Sequence, residues 1–148
     1  MFEIIIKTDP KSIRMLDDYP RDFREALVKG VRKATYFAEA QAKKSFGKSG
    51  HLKSRSGHLR RSIKSRVKEM SKNIIGELSS DVIYAAIHEY GGIIRAKNAP
   101  YLKFKIGNRW VQVKKVFIPP RPYLRPAFED NLRKMETIIT DTVAKELN

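Results

Sequence analysis

The stretch that decides the fold is 84–128, which opens with YAAIHEYGG (84–92) and, after an apolar and basic middle, closes with IPPRPYLRPAFE (118–129). Gly91-Gly92 is a common way to stop a helix. Pro119-Pro120-Arg121-Pro122 fixes backbone dihedrals and cannot continue a β-ladder. These two marks bracket a hairpin, and the second opens directly into an amphipathic helix. Nothing between them is an evident nucleophile or metal ligand, so the construction suits holding a surface in place. The proline run is a stiff connector that delivers the last helix, and in an assembly it would lower the ordering cost of presenting Arg121 and Tyr123 to a neighbour.

Working outward, FEIIIK (2–7) is β-branched and ends in Thr8-Asp9-Pro10, which predicts a short strand. Asp9 as N-cap and Pro10 at the first helical position predict a short helix over 11–17. From 21 to 46, apolar residues at Phe23, Leu27, Val31, Ala34, Ala38, Ala42 and Phe46 recur every three or four positions, the period of an amphipathic helix. Gly30 inside it costs about 1 kcal/mol relative to alanine, which a close packing contact would explain. The Gly, Ser and Lys-rich segment 47–57, with Ser-Gly-His-Leu starting at Ser49 and again at Ser56, reads as a mobile, basic loop spanning about 44–58. Segments 62–69 and 74–80 form a hairpin turned at 71–73, followed by a short helix over 82–90. Segments 101–106 and 110–117 form another pair around Gly107-Asn108. Leu124, Phe128, Leu132, Met135, Ile139, Val143 and Leu147 define one closing helix. The order predicts an α+β fold: a mainly antiparallel β-sheet with two long amphipathic helices packed on one face.

The chain has 148 residues, the size of one domain, and no cysteine, so disulfides and thiolate metal sites are excluded. No signal peptide and no apolar run of about 18 residues is present, which predicts a soluble, unsecreted protein without a membrane partner. The formal charge is +15. Segment 43–68 holds ten Lys or Arg and no acid; segment 90–128 holds nine and no acid. Such segregation attracts either nucleic acid or the acidic edge of a protein. Lys43, Lys44, Lys48, Lys53, Arg55, Arg60 and Arg61 are the candidates for DNA or partner contact. A solvated basic face is the plain alternative.

Catalysis finds little support. Gly47-Lys48-Ser49 lacks the second glycine of a phosphate-binding loop, because position 42 is alanine, and it follows a helix instead of a strand. His51, His58 and His88 do not have the spacing of a zinc site. A histidine nuclease would need a second acid–base group converging with His58 or His88, of which the sequence gives no sign. No cofactor is expected. Alternation places Phe104 and Trp110 in a sheet core, with the tyrosines at its margin; stacking platforms for nucleic acid are the competing reading. Tyr84, Tyr90 and Tyr123 equally suit a protein interface. With His88, Arg121 and Arg125 they make the candidate subunit-interface set.

The ordered series Ser-Gly-x-Leu-Arg-Arg-Ser-Ile (56–63), Tyr-Ala-x-x-x-Glu-Tyr-Gly-Gly (84–92) and Pro-Pro-Arg-Pro-Tyr-Leu-Arg-Pro-Ala-Phe (119–128), with its final helix, resembles the tail-component, or virion-morphogenesis, family of long-tailed bacteriophages. The resemblance runs from about Lys29 to residue 148. It implies a non-enzymatic structural protein acting in tail completion or head–tail joining, partnered by other phage tail or neck proteins. It further implies a homo-oligomeric ring in the virion, monomeric subunits in isolation, passing contact with DNA, and residence in the host cytoplasm during assembly. A basic nucleic-acid-binding domain of cellular origin is the second reading.

Overall fold

In chain order the computed structural model contains β1 (Phe2–Ile6), α1 (Arg21–Lys44), α2 (His58–Ser62), β2 (Ile63–Glu69), β3 (Ile74–Ser80) and α3 (Ala85–Tyr90). Then come β4 (Gly92–Arg95), β5 (Leu102–Ile106), β6 (Arg109–Val113), β7 (Lys115–Ile118), α4 (Leu124–Glu129) and α5 (Leu132–Leu147). The structure describes residues 20–47, 52–53, 56–71 and 73–148, and the backbone of 2–6. The helix expected over 11–17 lies outside the described residues.

The fold is α+β, as the order of sequence patterns requires. Strand β3 sits at the centre of a three-stranded antiparallel sheet, with β1 on one side and β2 on the other. The register places Leu78 opposite both Ile4 and Ser65. Along β2, Ile63 is buried, Ser65 and Val67 are half-buried, and Lys64, Arg66 and Lys68 are exposed, which is the alternation of a strand covered on one face. The cover is α1. Its Val28 and Val31 pack with Ile74, while Ala34, Ala38 and Ala42 join Ile63 and Leu78 in the main core. Arg24 reaches the β2–β3 turn, donating to the carbonyls of Ser71 (3.0 Å) and Met70.

Every fourth residue of α1's buried side is small: Ala26, Gly30, Ala34, Ala38 and Ala42. That spacing puts them on one helix face, where α5 packs. A β-carbon at Gly30 would lie 3.1 Å from both the Cα and the carbonyl oxygen of Ile139. The close approach explains a glycine that helix propensity disfavours. Gly30→Val is therefore expected to lower stability by about 1–3 kcal/mol, because backbone cannot yield as a side chain does. Chemical denaturation checks this; an unchanged midpoint would mean that α5 steps aside freely.

Three expectations are corrected. The closing helix is two helices, because the backbone at Asn131 (φ −118°) leaves the helical region and its side-chain amide donates to the Ala127 carbonyl at 3.1 Å. The helix expected over 82–90 starts only at Ala85. The strand expected over 110–117 breaks at Lys114: β6 pairs with β5, whereas β7 pairs with β4. Phe46 and Leu52 bridge in parallel and are both buried. Of the loop expected at 44–58, residues 48–51 and 54–55 lie outside the described residues.

Candidate interaction surface

Segment 92–118 is a β-arm that takes no part in the three-stranded sheet. Its base is the β4–β7 pair and its tip the β5–β6 pair, closed by Gly107-Asn108. Gly107 has φ of 58° and no non-glycine described residue has positive φ, the pattern of a type II′ turn. Phe104 opposite Val111 and Leu102 opposite Val113 place four apolar side chains on one face of the tip. Trp110, opposite Lys105, faces the other way, with the Lys103 ammonium 5.2 Å from its ring centroid.

The arm is conspicuously open. Ile106, Trp110 and Phe117 are 61%, 64% and 65% exposed. The expectation that Trp110 is sheet core is thereby corrected: alternation assigns a residue to a face, but no second layer covers that face. Phe104 is half-buried. A two-stranded ribbon without a covering layer is at best marginally stable in water. Arg95, Lys97, Lys103, Lys105, Arg109, Lys114 and Lys115 are all exposed along the arm, with no acid among them. An apolar ribbon fringed only with cations has the composition of an interface awaiting a negative partner.

The arm is joined to the body by a fixed corner. Gly91 donates its N–H to the Ile87 carbonyl (2.9 Å) and Arg121 donates to the His88 carbonyl (2.7 Å), tying the glycine and proline marks together. Glu89 is wholly buried. Its Oε2 accepts the N–H groups of Tyr123 (2.8 Å) and Leu124 (2.9 Å), and its Oε1 accepts that of Arg125 (2.9 Å). These are first-turn donors of α4, which helix geometry leaves without partners. The sequence patterns assign Glu89 no role. The available signal was negative: position 123, the N-cap of α4, is a tyrosine and makes no side-chain cap.

Tyr123 is also wholly buried, edge-on to Phe46 with ring centroids 5.1 Å apart. Burial, and then the charge of Glu89, push its phenol well above the usual value. Its placement in the subunit-interface set is corrected, since the ring belongs to the core of its own chain. The other members remain accessible to differing degrees. Tyr84, Tyr90, Arg121 and Arg125 are exposed and His88 is half-buried. Arg125 lies over Tyr90, 5.9 Å from guanidinium carbon to ring centroid.

Of the basic candidates, Lys44, Lys53, Arg60 and Arg61 are exposed. Lys43 is paired with Glu39, one turn earlier on α1. Burial would raise the Glu39 carboxyl, but hydrogen bonds from Lys43 and Ser65 outweigh it and hold the group below the usual carboxylate range. Lys48 and Arg55 lie outside the described residues.

A hollow of about 410 Å³ opens between the end of α1, α2 and α3. His58 Nδ1 and the Tyr84 hydroxyl are 3.0 Å apart, and the Tyr84 and His88 rings meet edge-to-face at 5.9 Å. Burial, helped by the Arg121 charge, lowers the His88 pKa below 6.5. Tyr84 thus brings together two histidines that the sequence left unrelated. Among the described residues no carboxylate lines this hollow, and no group of three His, Cys, Asp or Glu side chains is placed to hold a metal.

Residues 33–148 match the phage virion morphogenesis family. The match begins within α1 and takes in α2, β2, β3, α3, the whole arm and both closing helices. No curated protein and no solved structure matches the chain.

Proposed function

This chain belongs to the phage virion morphogenesis family, and from that premise we propose that it is a non-enzymatic structural subunit that completes the tail or joins head to tail by forming a ring. The family carries the coarser statement, a role in building the phage virion. The finer one rests on the open arm: exposed Ile106, Trp110 and Phe117 among exposed cations. In a ring each subunit offers one surface to a different surface of its neighbour, and the contacts close when the rotation fits. The arm supplies the projecting half of that contact. Mutual repulsion at a formal charge of +15 keeps isolated subunits apart until an acidic neighbour or DNA offsets it. Lys44, Lys53, Arg60 and Arg61 then face the lumen or the acidic partner. No helix among the described residues is long and apolar enough to cross a membrane.

A triple variant, Ile106→Ser with Trp110→Ser and Phe117→Ser, is expected to remain folded and to melt within about 10 °C of the parent, since each surface change costs about 0.5 kcal/mol or less. It should nevertheless yield heads and tails that fail to join, counted by electron microscopy and by infectious titre in a phage lacking its own copy. Normal joining by this variant would contradict the ring contact. Salt-steep binding of duplex DNA by the isolated subunit, together with normal joining, would point instead to the nucleic-acid reading.

A further inference from the structure

The hollow beside α3 combines two chemistries that no intramolecular contact uses together. Its floor is apolar, made by Phe46, Leu52 and Leu59, all buried. Its cationic or proton-accepting groups are Lys53, His58 and Arg121, all exposed, and no carboxylate among the described residues lines the hollow with them. A volume of about 410 Å³ lies within the range of about 300–1,000 Å³ typical of ligand sites. Nucleic acid would use only half of this. A phosphate suits the cations, but a base needs a free aromatic face, and the rings here are engaged with one another: Tyr84 with His88, Phe46 with Tyr123.

We infer that this hollow binds a short peptide segment of a partner virion protein, one that carries an aspartate or glutamate next to a large apolar side chain. The apolar group leaves water against Phe46, Leu52 and Leu59. The carboxylate is taken by Arg121, whose planar fork can donate to both oxygens, with Lys53 as the second cation. The site is separate from the apolar tip of the arm, but Arg121 belongs to the corner from which the arm springs, so both surfaces are presented in fixed relation. The inference deepens the assembly reading and rests on it only for the source of the peptide.

The test is an NMR titration of the intact protein, following the His58 and His88 imidazole and Tyr84 ring signals. The probes are N-acetyl-Phe-Asp-amide, its N-acetyl-Phe-Asn-amide analogue, inorganic phosphate and a thymidine dinucleotide. The acidic dipeptide is expected to shift these signals saturably, and the Asn analogue to bind at least tenfold more weakly. Arg121→Gln should weaken the acidic dipeptide about tenfold without moving the melting temperature, because only its exposed side chain is changed. Absence of saturation, or equal binding of the Asn analogue, would overturn the inference. So would phosphate or the dinucleotide moving the same signals at lower concentration, which would give the hollow to nucleic acid. The arm triple variant should bind the dipeptide normally, so that failure of the peptide site and failure of the ring contact register separately.

Discussion

Glu89→Ala is expected to lower the stability of the fold by about 4 kcal/mol, since two buried donors and one partly buried donor lose their acceptor at about 1–3 kcal/mol each. Against a typical total of about 5–15 kcal/mol, this is a large fraction of the stability of the fold. The reason is the geometry of one carboxylate. Its Oε2 serves Tyr123 and Leu124 and its Oε1 serves Arg125, so the start of α4 has no other acceptor for these groups. Burial removes water as a substitute, because Glu89 has no exposed surface. Glu89→Gln separates the contributions. Its one carbonyl oxygen can serve Tyr123 and Leu124, but its amide then meets the Arg125 N–H, donor against donor. The expected loss is about half that of alanine, roughly 2 kcal/mol by the same accounting. Thermal unfolding followed by circular dichroism reads both. An alanine variant within about 0.5 kcal/mol of the parent would mean that the corner is held by something else.

The second large effect is expected at Gly91. Its φ of 70° and ψ of −173° fall in a region that is essentially reserved for glycine. A β-carbon there would stand 2.7 Å from the Pro120 nitrogen and 2.9 Å from the Ile118 carbonyl oxygen. Gly91→Ala therefore combines backbone strain of about 1–3 kcal/mol with overpacking of about 1–3 kcal/mol, and a total of about 2–6 kcal/mol is expected. The two terms can be separated within the same arm. Gly107 also has positive φ, 58°, but nothing lies within 4 Å of a β-carbon built on it. Gly107→Ala should cost only the strain of a positive φ, about 1–3 kcal/mol. Equal losses at the two glycines, measured by urea denaturation, would show that contact with Pro120 contributes nothing.

The features that survived from sequence to structure are those with a local cause. The three- and four-residue spacing in α1, the alternation along β2 and the Gly91-Gly92 stop each depend on neighbours within a turn or two, and each formed as read. Gly30 was legible as a close contact, though not its partner, since Ile139 lies more than a hundred positions away. What stayed hidden depended on distant chain. Alternation could not tell that the face bearing Trp110 lacks a covering layer. The acceptor role of Glu89 had no local signal, because the donors it serves at α4 lie more than thirty positions along the chain. Tyr123 looked like an interface tyrosine because composition does not reveal that Phe46 packs on its ring. The β4–β7 pair escaped because four residues, Gly92–Arg95, carry too short a pattern to name a strand. The candidate site was thus legible in composition, as an acid-free basic segment between two stiff corners, but not in shape.

The central claim is that the arm becomes covered when the subunit joins the virion, and amide hydrogen exchange over Leu102–Ile106 and Arg109–Val113 tests it most directly. In the isolated protein these amides should exchange quickly, as expected for a ribbon that nothing covers. In purified phage particles the same peptides should exchange at least tenfold more slowly, while peptides from the buried strand β3 change little. Equal exchange of the arm in the free subunit and in the particle would contradict the account.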